Sequence, residues 1–184
     1  MDKDLLGVAK RHLSLLLAEC DLEKLNDINN NFDCKYAYDA VSLEGKNKIP
    51  YEEVINLIKT GDILKYSERE KKEILNHHNT FKHVKKMVES NISLTEDRLK
   101  DLHEMLLLDI ITGGTYRNVN IQIFGAKHQP PDNVKVYDRM KKLFDNLKLM
   151  EDGIEKAVYA HAQIAKIHPF LDGNGRLARL VMNY

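Results

Sequence analysis

The sequence predicts a single, mostly helical domain, and three observations favour this fold class. Apolar residues recur at helical spacing through most of the 184 residues. The 9 glycines and 4 prolines are too few for an all-β protein with many tight turns. At roughly 150 residues per domain this length corresponds to one domain, and no repeat, low-complexity linker or shift in composition divides the chain.

The overall composition indicates a neutral intracellular protein. The 28 basic and 28 acidic residues balance, which argues against a strongly basic surface for nucleic acid. No apolar run approaches the roughly 18 residues of a membrane span, and the N-terminus lacks an apolar signal segment. Cys20 and Cys34 are too few for a disulfide scaffold or a zinc site, so a reducing, cytoplasmic location is expected.

Start and stop signals predict four helices in the first half of the chain. The expected spans are about 5–25, 33–45, 50 onward and 67–89. Asp33 is the expected N-cap of the second helix, and Gly45 closes it. Pro50 suits the first turn of the third helix. Ser67 and Glu70 have the spacing of a capping box at the start of the fourth.

The second half of the chain is predicted to be helical apart from one non-helical segment. Helices are expected at about 95–112, 133–150 and 153–167. Gly113 and Gly114 end the first of these. Residues Val119–Ile123 then alternate apolar and polar side chains, which is typical of a short strand or one arm of a hairpin. Pro130 and Pro131 end this non-helical segment.

One stretch differs chemically from the rest: His-Pro-Phe-Leu-Asp-Gly-Asn-Gly-Arg at 168–176, followed by Arg179. Pro169 disfavours the helical conformation at His168, so the preceding helix should stop there and leave the imidazole at its end. An imidazole with an ordinary pKa of about 6.5 can take a proton near neutral pH. His168 is therefore a candidate general base.

The residues that follow predict an anion site. Gly173 and Gly175 allow successive N–H groups to turn into one concavity, and a helix should start near Gly175, where its free N–H groups favour an anion. Arg176 and Arg179 share one face of that helix. Asp172 beside them is a hard oxygen ligand suited to a Mg2+ ion that bridges phosphates. The pattern indicates a loop that holds a polyphosphate.

These residues match a known signature. The motif at 168–176 with Arg179 resembles that of the Fic-domain AMP transferases, and the resemblance extends from about Tyr36 to Tyr184. It implies an all-α Fic-type domain over 1–184, with a short β-hairpin flap before the active-site loop at 153–184. It also implies transfer of AMP from ATP to a Tyr, Thr or Ser hydroxyl of a target protein or of the chain itself, with release of pyrophosphate.

The resemblance assigns a role to each motif residue. His168 would be the base, and Asp172 would hold Mg2+ against the phosphates. Asn174 and the amides of Gly173 and Gly175 would bind phosphate oxygens. Arg176 and Arg179 would bind the outer phosphates. The Doc-like branch of the family, which phosphorylates, departs from Gly-Asn-Gly-Arg at this point, so the intact sequence favours AMP transfer.

The segment at 115–131 resembles the flap of the same family. There a target segment lies along the hairpin edge by strand addition, which relies on backbone pairing. The residues expected beside the nucleotide and the target are Ile121, Gln122, Ile123 and Phe124.

A glutamate near the start of the resemblance is expected to be inhibitory. Glu44 continues a face that carries Ala37, Ala40 and Val41, so a carboxylate lies on an apolar stripe at a helix C-terminus. That position predicts a cationic partner. Residues 42–45 resemble the inhibitory motif of the family, in which the glutamate pairs with the second motif arginine, here Arg179, and blocks seating of the γ-phosphate.

This segment departs from the family pattern at two positions. Ala40 stands where Ser or Thr is usual, and Lys46 separates Gly45 from Asn47. Other activities of the fold stay open at this point: removal of AMP, transfer of another phosphate-containing group, or nucleotide binding without catalysis. The target protein and assembly into a homo-oligomer are also open.

Two further features are interpreted more simply. His77, His78, His83 and His103 lie on predicted helices without a third ligand at metal spacing, so we interpret them as solvated or core histidines. Tyr184 lies within an apolar helical pattern that has no stop signal, which predicts that the helix continues beyond it.

Overall fold

The computed structural model describes residues 3–123 and 125–184, with side chains from residue 7 onward. These residues form eight α-helices and a short 3₁₀ helix, Asn133–Lys135, which confirms the predicted helical fold class. The α-helices are α1 (Lys3–Ala18), α2 (Leu22–Ser42), α3 (Tyr51–Thr60), α4 (Glu68–Glu89), α5 (Glu96–Leu107), α6 (Val136–Leu149), α7 (Ile154–Ile167) and α8 (Asn174–Met182). No helix in the described part of the chain is long and apolar enough to cross a membrane.

Local signals located several helix starts correctly. Pro50 is the N-cap residue of α3. Ser67 and Glu70 form the complete capping box of α4, in which each side chain accepts a hydrogen bond from the other residue's backbone N–H. Thr95 accepts from the N–H of Arg98 at 3.2 Å and caps α5. α5 ends at Leu107, five residues before the expected end at 112.

The expected boundary between the first two helices was wrong. α1 ends at Ala18, and α2 begins after Asp21, whose carboxylate accepts from the N–H of Lys24 at 2.7 Å. Asp33 lies inside α2 and is buried, with both carboxylate oxygens 2.6 Å from Nζ of Lys85 on α4. An aspartate favours a cap on local grounds, but here a partner 52 residues away holds it inside the helix.

The core lies mainly between α4 and the four helices that follow it. Its fully buried side chains include Leu99, Leu106, Met140, Ile164 and Leu177. A second, smaller cluster joins α2, α3 and α4. Because α8 packs against α7 and also contacts α2, α4 and α5, the segment between α7 and α8 is enclosed by the rest of the fold.

The expected hairpin at 115–131 is not formed, since no strand occurs in the described residues. An isolated two-stranded hairpin is only marginally stable, and the returning segment, Gly125–Gln129, lacks the β-branched and aromatic residues that favour a strand. Side-chain bonds hold the segment instead: Asn133 donates to the carbonyl of Asn118 at 2.7 Å and, through its N–H, to the side chain of Asn120 at 2.8 Å.

Arg117 joins this irregular segment to the end of α7. It is 3% exposed, and its guanidinium donates to the backbone carbonyls of His168 at 2.9 Å, Val119 at 2.8 Å and Pro131 at 2.6 Å. Its own N–H donates to the carbonyl of Pro169 at 2.9 Å. A positive charge at a helix C-terminus is also favoured by the helix dipole.

Replacing Arg117 with Met should therefore loosen two segments together. We expect the free energy of unfolding to fall by about 3 kcal/mol, because several buried carbonyls lose their donor. Hydrogen exchange should rise at residues 118–132 and 167–170. The control is Arg98→Met, since Arg98 is exposed and donates to a single backbone carbonyl. Equal stability of the two variants would contradict the structural role of Arg117.

Candidate active site

His168 follows the last residue of α7 and adopts the left-handed conformation, with φ 50° and ψ 61°. Pro169 excludes the helical conformation, and the helix ends here as the sequence predicted. Nδ1 lies 3.4 Å from the carbonyl of Ala165, so donation through Nδ1 leaves the lone pair on Nε2. Burial lowers the pKa of His168. At neutral pH the imidazole is therefore uncharged and able to accept a proton.

The loop after His168 is closed by Asn174. The Oδ1 atom of Asn174 accepts from the N–H of Phe170, and its Nδ2 atom donates to the carbonyl of Phe170, both at 2.9 Å. Asn174 is 2% exposed, so its side chain is buried and holds the loop through these two bonds. That Asn174 binds a phosphate oxygen stays a prediction.

The N-terminus of α8 opens onto this loop. Gly173 is its N-cap residue, with φ 75°, a backbone conformation that favours glycine. The first helical bond runs from the N–H of Leu177 to the carbonyl of Gly173. The N–H groups of the first turn therefore have no intrahelical partner and can bind an anion, which the helix dipole also favours.

Arg176 and Arg179 place two positive charges beside that helix end. Arg176 is 0% exposed, and in the described part of the chain none of its three guanidinium nitrogens makes a hydrogen bond. Nε of Arg179 also lacks a partner there. Buried polar groups almost always have partners, and a guanidinium matches the geometry of phosphate oxygens. Carboxylate oxygens of Glu44 and Asp172 lie 3.3 and 3.5 Å from Arg176 without forming hydrogen bonds, so its donors remain able to bind a polyanion.

The structure brings Glu44 to both arginines. Its Oε1 atom is 3.1 Å from Nη2 of Arg179, and its Oε2 atom is 3.3 Å from Nε of Arg176. Nη2 of Arg179 also donates to the carbonyl of Ala40 at 2.6 Å. A Cβ atom on Gly175 would lie 3.1 Å from Arg179 and 3.4 Å from Glu44. Glycine at 175 therefore leaves room for this ion pair.

Asp172 lies between the guanidinium groups of Arg69 and Arg176. Its Oδ2 atom is 2.7 Å from Nη2 of Arg69 on α4, and its Oδ1 atom is 3.5 Å from Nη2 of Arg176. Burial raises its pKa, but the bond from the N–H of Gly173 and the charges of Arg176 and Arg69 outweigh burial and lower the pKa overall. The carboxylate is therefore ionised at neutral pH.

Asp172 fits a magnesium ion that is bound together with a nucleotide. In residues 3–123 and 125–184 no group of three or more His, Cys, Asp or Glu side chains could hold a metal ion by itself. Magnesium at nucleotide sites uses one or two carboxylates and completes its octahedral shell with phosphate oxygens and water. A single ionised carboxylate beside an anion site satisfies that requirement.

Comparison with known proteins identifies the family. The family model described as "Fic/DOC family" matches residues 93–184, which is half of the chain. The chain belongs to the Fic/DOC family. This confirms the family that the motif at 168–176 indicated.

Two relatives share one name and match most of this chain. "Protein adenylyltransferase Fic" of Drosophila persimilis is 28% identical over 156 residues, or 81% of this chain. The protein of the same name from Nematostella vectensis is 33% identical over 122 residues, or 62% of this chain. The chain spans only 30% and 28% of the lengths of these two relatives.

Solved structures share the fold. A Fic domain containing signaling protein from Bacteroides thetaiotaomicron superposes with a TM-score of 0.80 at 25% identity, covering 90% of this chain and 66% of that one. Fic-1 from Caenorhabditis elegans superposes with a TM-score of 0.70 at 25% identity, covering 82% of this chain and 46% of that one. The arrangement of helices is therefore that of Fic proteins.

The flap residues of this Fic/DOC chain occupy an irregular segment. Ile121 and Ile123 are half-buried, Gln122 is exposed, and Phe124 lies outside the described residues. An open groove of about 450 Å³ is lined by Asn120, Ile121, Gln122, Gln129, Pro130 and Asp132. That the flap residues lie beside the nucleotide and the target stays a prediction.

Sequence reasoning did not connect Arg69, His77 or His103 with the site. Arg69 bridges Asp172 and Glu73, with its Nε atom 3.1 Å from Glu73, and no local pattern points to an acid 103 residues away. His77 was interpreted as a solvated or core histidine. It is fully buried, and its ring lies 5.3 Å from that of Tyr36. Its spacing from Ile74 and Phe81 on the apolar face of α4 was the available signal.

His77 should make the protein sensitive to acid. Burial, together with the charges of Arg176 and Arg179, lowers its pKa to about 3 from the ordinary value of 6.5. Between those pH values the unfolded chain binds a proton that the folded chain does not. The free energy of unfolding should therefore fall as the pH falls, by about 1.4 kcal/mol per pH unit from this residue.

Urea unfolding of wild type and His77→Phe at pH 7, 6 and 5 measures this contribution. The variant should lose less stability than wild type on acidification. His83→Phe, which changes an exposed histidine of the same helix, is the control. Its free energy of unfolding should fall with pH as that of wild type does. Parallel stability curves for wild type and His77→Phe would exclude this explanation.

Proposed function

We propose that this chain transfers AMP from ATP to a side-chain hydroxyl of Tyr, Thr or Ser, on a target protein or on itself. The observation that carries the proposal is the buried Arg176 with Arg179 beside it, both with guanidinium nitrogens that lack a hydrogen bond in the described part of the chain, next to the free N–H groups of α8 and to a neutral His168. Relatives named protein adenylyltransferase support the same reaction.

The anion site suits the triphosphate of ATP. Backbone N–H groups at the start of α8 bind phosphate oxygens through the helix dipole. Arg176 and Arg179 add charged donors that match phosphate geometry. Because these groups lie buried and already oriented, they stabilise charge on the phosphates without reorganising during the reaction.

In the proposed step, the target hydroxyl oxygen attacks the α-phosphorus of ATP. The bond from that phosphorus to the bridging oxygen of pyrophosphate breaks, and pyrophosphate leaves. Nε2 of His168 takes the proton of the attacking hydroxyl, which the depressed pKa allows at neutral pH. The product is a phosphodiester between AMP and the target side chain. Positioning and charge stabilisation supply most of the rate.

Asp172 is the proposed ligand of Mg2+ in this reaction. When bound, the ion neutralises charge on the phosphate oxygens. The protein supplies one carboxylate, and its partners hold that group in place: the N–H of Gly173 at 2.8 Å and Arg69 at 2.7 Å. Arg69 and a magnesium ion would compete for the same carboxylate.

Glu44 is proposed to inhibit the reaction. It contacts Arg176 and Arg179, the groups proposed to bind the outer phosphates, so nucleotide and glutamate compete for the same donors. Ala40 cannot supply the hydroxyl usual in the family at that position. Its backbone carbonyl bonds Arg179 instead, at 2.6 Å. This contact supports retention of the inhibitory arrangement despite the substitution.

The flap groove is the proposed docking surface for the target. Arg117 donates to the carbonyls of Val119 and Pro131 in this segment and to the carbonyl of His168.

A cytoplasmic location is also part of this proposal. It rests on the two free cysteines, Cys20 and Cys34.

Replacing Glu44 with Gly should raise AMP transfer about tenfold, because loss of its charged bonds frees both arginines for the phosphates. The assay is incubation with Mg2+ and ATP labelled on the α-phosphate, with intact-protein mass spectrometry of the product. Asp39→Gly removes an exposed carboxylate from α2, five residues before Glu44, and should leave the rate unchanged. Equal rates in all three proteins would remove Glu44 as an inhibitor.

The double variant Glu44→Gly/His168→Ala tests the chemistry. It should bind ATP but form no AMP adduct, because the base is missing. An adduct in the double variant would overturn the role of His168. Absence of any adduct in Glu44→Gly, with or without added cell extract as a source of targets, would count against AMP transfer.

Arg69→Gln should tighten binding of Mn2+ in the presence of ATP by up to about fivefold, since the cation no longer has to displace an exposed ion pair. Electron paramagnetic resonance of free Mn2+ measures this affinity without catalysis. Lys72→Gln removes the same charge from the same helix, where Lys72 pairs with Asp109 at 3.3 Å, and should change nothing. Equal affinities in the two variants would exclude direct competition.

A further inference from the structure

His103 on α5 is buried and lies next to the motif loop. It is 2% exposed, and both of its ring nitrogens lie 2.9 Å from backbone atoms, Nδ1 from the N of Gly114 and Nε2 from the carbonyl O of Asp172. We propose that His103 is a positioning residue. Its hydrogen bond to the backbone carbonyl of Asp172 fixes the position of Asp172 in the site. This inference rests on the proposed function of Asp172 in binding the metal–nucleotide complex.

The two bonds define one tautomer. A backbone N–H can only donate, so Nδ1 of His103 must accept from Gly114 and carry no proton. Nε2 must then carry the proton and donate it to the carbonyl of Asp172. The ring is therefore neutral, because a protonated Nδ1 could not accept from the N–H of Gly114. A neutral ring with this tautomer satisfies both backbone groups at once.

Packing fixes the ring as firmly as its hydrogen bonds do. His103 stacks on Phe170 with ring centroids 3.6 Å apart and an angle of 12°. Phe170 is itself held by the two bonds from Asn174. A Cβ atom on Gly173 would lie 3.5 Å from Nε2 of His103. The ring therefore contacts the loop immediately before and after Asp172.

Gly113 and Gly114, which lie between α5 and the flap segment at 115–131, have a specific role here. A Cβ atom on Gly113 would lie 2.5 Å from Cα of Glu104 and 2.9 Å from the carbonyl of His103, so no other residue fits without movement of the backbone. Gly114 has φ 73°. These glycines bring the N–H of Gly114 against the ring. His103 thereby connects the start of the flap segment to the loop that carries Asp172.

Two variants of His103 can distinguish a positioning role from a packing role, because each variant keeps only one of the two hydrogen bonds of the ring. In His103→Gln the side-chain amide can still donate to the carbonyl of Asp172. In His103→Asn the side-chain oxygen can still accept from Gly114, but the donor to Asp172 is lost. Both variants lose the stacked ring, and their side chains differ from each other by one methylene group.

The test uses the full chain carrying Glu44→Gly as the parent. Binding of Mn2+ with ATP is measured by electron paramagnetic resonance, and binding of ATP alone is measured with EDTA present. His103→Asn should weaken Mn2+ binding at least about tenfold, as loss of a partner of a metal ligand typically does. His103→Gln should stay close to the parent, and ATP binding without metal should be unchanged in both.

Hydrogen exchange of residues 169–177 without nucleotide gives a second readout that does not depend on catalysis or metal. Exchange should rise in His103→Asn and stay near the parent in His103→Gln. Equal effects of the two variants on exchange and on Mn2+ affinity would overturn the positioning role. Failure of the parent to bind Mn2+ with ATP would refute the proposed function, and the exchange comparison would then decide the role of His103 alone.

Discussion

The burial of the positive charge of Arg176, with Arg179 beside it, is the constraint on which this structure depends. Taking a guanidinium out of water costs several kcal/mol unless an anion compensates for it. Arg176 is fully buried, and Arg179 lies beside it. The chain supplies Glu44 from the end of α2 and Asp172 from the motif loop as counter-charges. A bound polyphosphate would supply the same compensation, so the glutamate and the nucleotide are alternative ways of neutralising one pair of charges.

Around these charges, the loop between α7 and α8 is held by bonds to its backbone. Arg117 binds the carbonyl of His168, His103 that of Asp172, and Asn174 both polar groups of Phe170. Each of these side chains is nearly or fully buried. A loop held in this way keeps His168 and Asp172 in fixed positions, which is the condition for electrostatic preorganisation in the proposed reaction.

A polar network links the segment after Glu44 to the carboxylate proposed to bind metal. Asn47 lies 3.3 Å from Glu73, Glu73 lies 3.1 Å from Arg69, and Arg69 lies 2.7 Å from Asp172. Asn47 and Asp172 are therefore connected through two charged side chains of α4, Glu73 and Arg69. The chain departs from the family by inserting Lys46 before Asn47, yet Asn47 still bonds α4, through the carbonyl of Glu70 at 2.9 Å.

The sequence by itself determined the helical class, most helix starts and the chemistry of the motif at 168–176, because periodicity, caps and a Pro after His168 act over a few residues. Only the tertiary structure decided which groups face that motif. Asp33 became a buried partner of Lys85 instead of a cap, Arg69 reached Asp172, and His103 bound the loop. The flap did not form strands because its backbone found side-chain donors in place of a second strand. These outcomes depend on burial and on partners far along the chain, which no local pattern specifies.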